Sequence, residues 1–219
     1  MNSRPYTAPS DTGLDILHAD SAILVVNKPS GLLSVPGRGA GKADCLASRV
    51  QARFPDALVV HRLDMETSGL MVLARNRETH RLLSISFQDR QVEKRYEALV
   101  TGQLANASGE IDLPLIADWP NRPLQKVDLQ IGKPSLTRYL ALAYDARQNS
   151  TRVALEPHTG RSHQLRVHML SLGHPILGDT LYAPESCTQV DRLMLHAVYL
   201  AFVHPVHGEK ISFSSTAPF

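Results

Sequence analysis

Ala57-Leu58-Val59-Val60-His61-Arg62-Leu63-Asp64 and, after Met65 to Gly69, Leu70-Met71-Val72-Leu73-Ala74 form the stretch on which the fold turns. Two apolar runs, each too short for a helix, flank a polar loop that closes on Thr67-Ser68-Gly69. That pattern is strand, loop, strand. Upstream, Ile23-Leu24-Val25-Val26 reads as a strand stopped by Asn27-Lys28-Pro29-Ser30-Gly31, and the Gly- and Pro-rich stretch 32–41 reads as a loop. A helix fits within 44–54, ended by Pro55. Downstream, 77–87 is helical with a thin apolar face of Leu82, Leu83 and Phe87, and strands fit 92–100, 127–131, 136–143, 152–156, 193–202 and 210–214. The last helix, 162–172, sets Leu165, Met169 and Leu172 on one face and stops at Gly173 and Pro175. Strands outnumber helices and do not alternate with them, so the expected class is α+β, built on a mixed, largely antiparallel sheet. Residues 1–13, with Pro5, Pro9 and Gly13, read as a flexible leader, and 14–219 as one domain without a linker.

Composition removes several classes. With 43% hydrophobic and 20% charged residues, the chain is too apolar for disorder and too varied for a coiled coil or collagen. A chain of 219 residues buries about 70% of its unfolded surface, so a core needs neither metal nor disulfides. The two cysteines, Cys45 and Cys187, form no C-x-x-C pair and point to a reducing compartment. No apolar run approaches the about 20 residues of a membrane helix, and Met1–Ser10 lacks a signal-peptide core. The expectation is a cytoplasmic protein without a membrane partner. A net charge of +2 does not announce a polyanion binder; where the cations sit decides that.

Four clusters could carry chemistry. Asp64 ends an apolar run, stands beside His61 and Arg62, and opens a loop held between two strands. It is either a functional carboxylate or a turn aspartate satisfying local amides. His61-Arg62-Leu63-Asp64 is similar to a kinase catalytic loop, but no Gly-rich loop precedes it and no D-F-G follows. In Gly160-Arg161-Ser162-His163-Gln164-Leu165-Arg166-Val167-His168, Arg166 falls off the apolar helix face. It is either a solvated cation or a buried guanidinium that needs a carboxylate, for which Asp64 is a candidate. His163 and His168 are five apart and face different ways, so no metal site is expected. Tyr96, within Lys94-Arg95-Tyr96, is either a core tyrosine or a site residue. Asp118-Trp119-Pro120-Asn121-Arg122-Pro123-Leu124-Gln125-Lys126 joins an aromatic and cations on a stiff turn, which suits either core packing or base and phosphate contacts.

Asn27–Gly31, His61–Asp64 with Thr67–Gly69, Lys94–Tyr96, Gly160–His168, Gly173-His174-Pro175-Ile176-Leu177-Gly178-Asp179 and Arg192-Leu193-Met194-Leu195-His196-Ala197 occur in this order. Together they resemble the signature set of the RluA family of RNA pseudouridine synthases, from about residue 14 to 216. The resemblance implies a catalytic domain with a central RNA-binding cleft, no cofactor and no metal. With no S4 domain ahead of it, and with Ser34-Val35-Pro36-Gly37-Arg38 and Asp118–Pro123, the chain looks most like the dual-specificity members. These act on 23S rRNA and on the anticodon stem-loop of some tRNAs. The implied partner is therefore RNA, not DNA; nothing in the sequence demands an interface, so the expected state is a monomer.

By the same resemblance Asp64 matches the catalytic aspartate, Arg166 the arginine paired with it, and Tyr96 the tyrosine beside the uracil. Arg62 matches the arginine that fills the space of the flipped base, and Leu195 the apolar residue on the uracil face. Arg161, Trp119, Arg122 and Lys126 are expected to touch RNA. The competing class is a non-catalytic RNA-binding or rRNA-chaperone protein on the same scaffold. Such a protein has no use for an ionised carboxylate facing an anionic polymer. A glycoside hydrolase is a third possibility, marked by release of free base.

Overall fold

The computed structural model describes residues 6–39, 41–185 and 190–219; Cys187 lies outside them. In chain order the elements are β1 (Asp15–Ala19), β2 (Ile23–Lys28), α1 (Leu46–Arg53), β3 (Leu58–Val59), β4 (Ser68–Ala74), α2 (Arg77–Gln88) and β5 (Glu93–Thr101). There follow β6 (Ser108–Asp112), β7 (Leu115–Ala117), a 3-10 turn (Trp119–Asn121), β8 (Gln125–Val127), β9 (Leu136–Asp145), β10 (Ser150–Pro157), α3 (Gln164–Ser171), β11 (Leu195–Val203) and β12 (Lys210–Ser214). The class is α+β, with a mixed, largely antiparallel sheet.

The chain forms two compact units: residues up to Glu93 with Tyr199–Thr216, and Lys94–Val198 with Ala217–Phe219. In the first, β2 pairs antiparallel with β1 and with β4, which also carries the short β3. β2 and β4 are buried nearly throughout, which is why their sequences run apolar without alternating. Ile23, Val25, Leu70, Val72, Leu83 of α2 and Phe202 form the core of this unit. α1 opens on an unusual cap: the Cys45 thiol accepts from Ser48 N, and the Ser48 hydroxyl accepts from Cys45 N. Residues 1–5 of the expected leader lie outside the described residues. From Tyr6 on the chain is bonded: Tyr6 Oη donates to Asp44 O (2.9 Å), and Arg49 Nη2 donates to Pro9 O (2.6 Å).

The second unit holds the antiparallel order β5-β10-β9-β6 and a separate β7–β8 hairpin. Ala98, Val100, Val153, Leu155, Leu165, Met169 and Ile176 make its core. Two expectations fail here. The strand at 127–131 ends at Val127, because Asp128 Oδ1 accepts from Gln130 N and Ile131 N and bends the chain into a turn. The helix at 162–172 is not one-faced: Gln164 to Met169 are all buried, whereas Leu172 is exposed. Arg166 is therefore inside, not on a solvated face.

Candidate active-site residues

In the first unit, Asp64 and Arg62 share the loop between β3 and β4; Arg62 is exposed and Asp64 half-buried. The loop is irregular, so its backbone carbonyls need donors from elsewhere. Three side chains from the Asn27–Ser34 stretch supply them. Lys28, fully buried, donates from Nζ to Met65 O (3.0 Å) as well as to Pro29 O (2.9 Å) and Leu32 O (2.7 Å). Ser30 Oγ donates to Glu66 O (2.6 Å). Ser34 Oγ donates to Leu63 O (2.6 Å) and accepts from Leu63 N (3.1 Å). Both neighbours of Asp64, Leu63 and Met65, are thus held through their backbone atoms. On the far side, His61 Nε2 accepts from Val72 N (3.1 Å) and its ring stacks on Phe87 at 4.4 Å. Gly69, opposite Lys28 in the β2–β4 ladder, has φ 117°, a conformation side chains rarely adopt.

In the second unit, Tyr96 stands opposite Leu155 in the β5–β10 ladder, half-buried. Leu195 is buried at the start of β11. Arg166 is buried and forked: Nε donates to Asp179 Oδ2 (2.7 Å) and Nη2 to Asp179 Oδ1 (2.6 Å). Asp179 is buried too, and its Oδ1 also accepts from Leu181 N and Tyr182 N (3.0 Å each). A bidentate fork fixes the plane of the guanidinium as well as its position. The Tyr182 ring lies under that guanidinium at 5.3 Å. Its hydroxyl meets His163 Nδ1 (2.7 Å) and accepts from Gln125 N (2.8 Å), the first residue of β8. Gly178 completes the turn, since a Cβ there would sit 1.9 Å from Arg192 O.

Trp119 and Arg122 come together at the tip of the hairpin, the guanidinium 4.1 Å from the ring centre and the indole 65% exposed. Lys126 is exposed on β8, opposite Ile116 in the β7–β8 ladder. Arg161 is exposed beside α3, its Nε donating to Pro134 O (3.3 Å). Behind it, buried Gln164 uses all its capacity: Oε1 accepts from Thr159 Oγ1 and Arg161 N, while Nε2 donates to Leu136 O and Thr137 Oγ1. Burial pushes Lys94 below the usual lysine range and, helped by Arg192, pushes His196 down to about 4. Among the described residues no cluster of three or more His, Cys, Asp or Glu could hold a metal.

Sequence reasoning missed three residues of this scaffold. Asp179 and Lys28 stood inside quoted segments without a role, and Tyr182 was not singled out. Period two along β2 sets Lys28 on the same face as Leu24 and Val26, a legible sign of burial. Asp179, just after a glycine and accepting from amides two and three residues on, follows a turn-aspartate pattern.

An α+β fold with an aspartate loop clamped by its own signature motif defines the class, and comparison supplies the family. The model of the RNA pseudouridylate synthase family matches residues 22–171. The chain belongs to this family, RNA-modifying isomerases that convert uridine to pseudouridine. It is 50% identical over 220 residues, covering 100% of both chains, to the dual-specificity RNA pseudouridine synthase RluA of Escherichia coli K12. It is 54% identical to the protein of the same description from Vibrio parahaemolyticus, covering 91% of this chain and 82% of that one. Among solved structures, human RNA pseudouridylate synthase domain containing 1 matches with a TM-score of 0.79 and 30% identity, covering 97% of this chain and 87% of that one.

Proposed function

We propose that this synthase has two kinds of target, a hairpin loop of 23S rRNA and a tRNA anticodon stem-loop, and that Asp64 acts at the ribose. The dual-specificity description of relatives aligned from end to end at 50% identity supports the targets. The observation that supports the role of Asp64 is the clamp on its loop: Lys28, Ser30 and Ser34 bind the carbonyls of Met65, Glu66 and Leu63 and so hold the backbone on both sides of the carboxylate in one place. No helix among the described residues is long and apolar enough to cross a membrane. The proposal takes the protein as a cytoplasmic monomer, which light scattering on the purified chain checks.

The chemistry assigns the roles. The N1–C1′ bond breaks, the uracil turns, and C5 bonds to C1′; C5 then loses its proton and N1 gains one, so mass is unchanged. Asp64 attacks C1′ or takes the proton at C2′, and Arg166, matched to the arginine of the family's site, is assigned to the same reaction. Tyr96 lies beside the uracil and relays the C5 proton. Leu195 covers the uracil face, which helps to keep water from trapping the sugar. Flipping the uridine costs a few kcal/mol, and Arg62 offsets this by filling the vacated stack. Trp119 with Arg122 offers a stacking platform, and Arg161 and Lys126 offer cations for the backbone.

The test is the variant Asp64→Asn, assayed on total RNA from cells lacking the protein, with carbodiimide-stable uridine adducts mapped. Wild type restores adducts in an rRNA hairpin and a tRNA anticodon loop. The variant forms none, yet melts and binds RNA as wild type does. A variant that still isomerises at the wild-type rate ends the assignment of Asp64, and adducts confined to one RNA class end the dual specificity.

A further inference from the structure

Lys94, a half-buried cation among the described residues, has no role in the fold or the site so far. Lys94 is the second residue of β5, and the two-residue period puts it on the same strand face as Tyr96, Ala98 and Val100. Along that strand the even positions are half-buried or buried, and Glu93 and Arg95 are exposed. The ammonium is thus turned inward, where removal of water disfavours its charge. A half-buried ammonium serving structure is held by a carboxylate or by carbonyls. The Lys94 ammonium has no hydrogen-bond or ion-pair partner among the described residues, and burial is the one cause that lowers its titration. The contrast with Arg166, forked by Asp179 in the same unit, is direct.

What stands next to it is an opening. A Cβ on Gly160 would come within 3.9 Å of Lys94 Nζ, and Gly160 has none. Gly160 is exposed and is followed by exposed Arg161, so the flank of the ammonium borders a surface that carries a second cation. An anion arriving there would meet a charge already stripped of much of its water. RNA offers one such group, the phosphodiester.

We propose that Lys94 is a phosphate-binding residue, its ammonium receiving one backbone phosphate of the RNA beside Gly160. It holds the strand that carries the reacting uridine on the same sheet face as Tyr96. The contact is made in ground state and transition state alike, so it contributes to binding and not to the chemical step.

The inference rests on the proposed role of Tyr96 but not on which RNA is the target. The probe is whichever stem-loop RNA the wild-type protein modifies in the mapping experiment above. A different target therefore changes the probe, and failure of Asp64→Asn leaves the Lys94 test intact. With Lys94→Met, the dissociation constant is expected to rise about tenfold, and the slope of log K against log salt to shrink by about one. The rate at saturating RNA should stay within about twofold of wild type. Lys94→Arg, which keeps the charge, should restore the slope. An unchanged affinity and slope in Lys94→Met overturns the proposal. So does unchanged affinity with a collapsed saturating rate, which would move the ammonium from the phosphate to the uracil.

Discussion

Lys28 and Lys94 are both lysines turned inward from the ends of strands, and the molecule treats them in opposite ways. Lys28 closes β2 and is fully buried, yet three carbonyls at 2.7–3.0 Å surround its ammonium. Lys94 stands second in β5, is only half-buried, and its ammonium has no such partner among the described residues. Burial alone therefore does not separate structure from function; satisfaction does. A buried charge with its bonds filled holds a loop in place. One left without them keeps its capacity for a ligand, at the expense of the empty fold.

The comparison breaks most visibly at Lys28. Lys28→Met keeps the aliphatic stem but leaves the carbonyls of Pro29, Leu32 and Met65 without their donor inside the first unit. Losing one side of a buried, charge-assisted cluster costs about 3–5 kcal/mol. At about 2–4 °C per kcal/mol for a chain of this size, Tm should fall by roughly 10 °C. Activity should fall with it, because the Met65 carbonyl flanks Asp64. Calorimetry checks this, and a variant melting within about 3 °C of wild type would show that Lys28 is no clamp.

His196 offers a third answer to the same burial: the group stays neutral. It is 1% exposed, and burial followed by the repulsion of Arg192 lowers its pKa to about 4. In the unfolded chain the ordinary value is about 6.5. Between those values the unfolded chain takes up a proton that the native state refuses, so stability is lost as pH falls through that window. The loss amounts to at most about 3 kcal/mol. His168, likewise lowered by burial, adds in the same direction. Urea unfolding at about pH 7 and about pH 4.5 should show the drop, and His196→Gln should shrink it. An equal drop in that variant would sink the assignment to His196.

How much of this was legible follows the same physics. Where burial is two-sided, as in β2 and β4, the unbroken apolar runs Ile23–Val26 and Leu70–Ala74 announced strands. β1 and β6 went unread because they are short and carry Asp15, His18, Gly109 and Glu110, residues that strands tolerate where one side is exposed. Tyr96, Arg166 and Asp64 were singled out by their place in signature segments. Their supports were not, since a carboxylate thirteen residues from Arg166 and a serine thirty from Asp64 are neighbours only once the chain has folded. The αL conformation of His163 and the all-round burial of α3 likewise arise from tertiary contacts that no period of 3.6 encodes.

The smallest expected effect sharpens the comparison most, because its sign is reversed. If Lys94 is desolvated without a native partner, replacing its ammonium by an apolar group of similar length removes a penalty and adds buried hydrocarbon. Lys94→Met should therefore raise stability, by about 1 kcal/mol, in the same variant whose RNA binding weakens. The gain should fade as pH rises toward about 10.5. There the wild-type ammonium gives up its proton in the native state before the unfolded chain does, and the penalty disappears. Urea denaturation at about pH 7 and about pH 10 measures both limbs. A Lys94→Met protein less stable than wild type at the lower pH would mean that the ammonium serves the fold after all. Lys94 would then belong with Lys28.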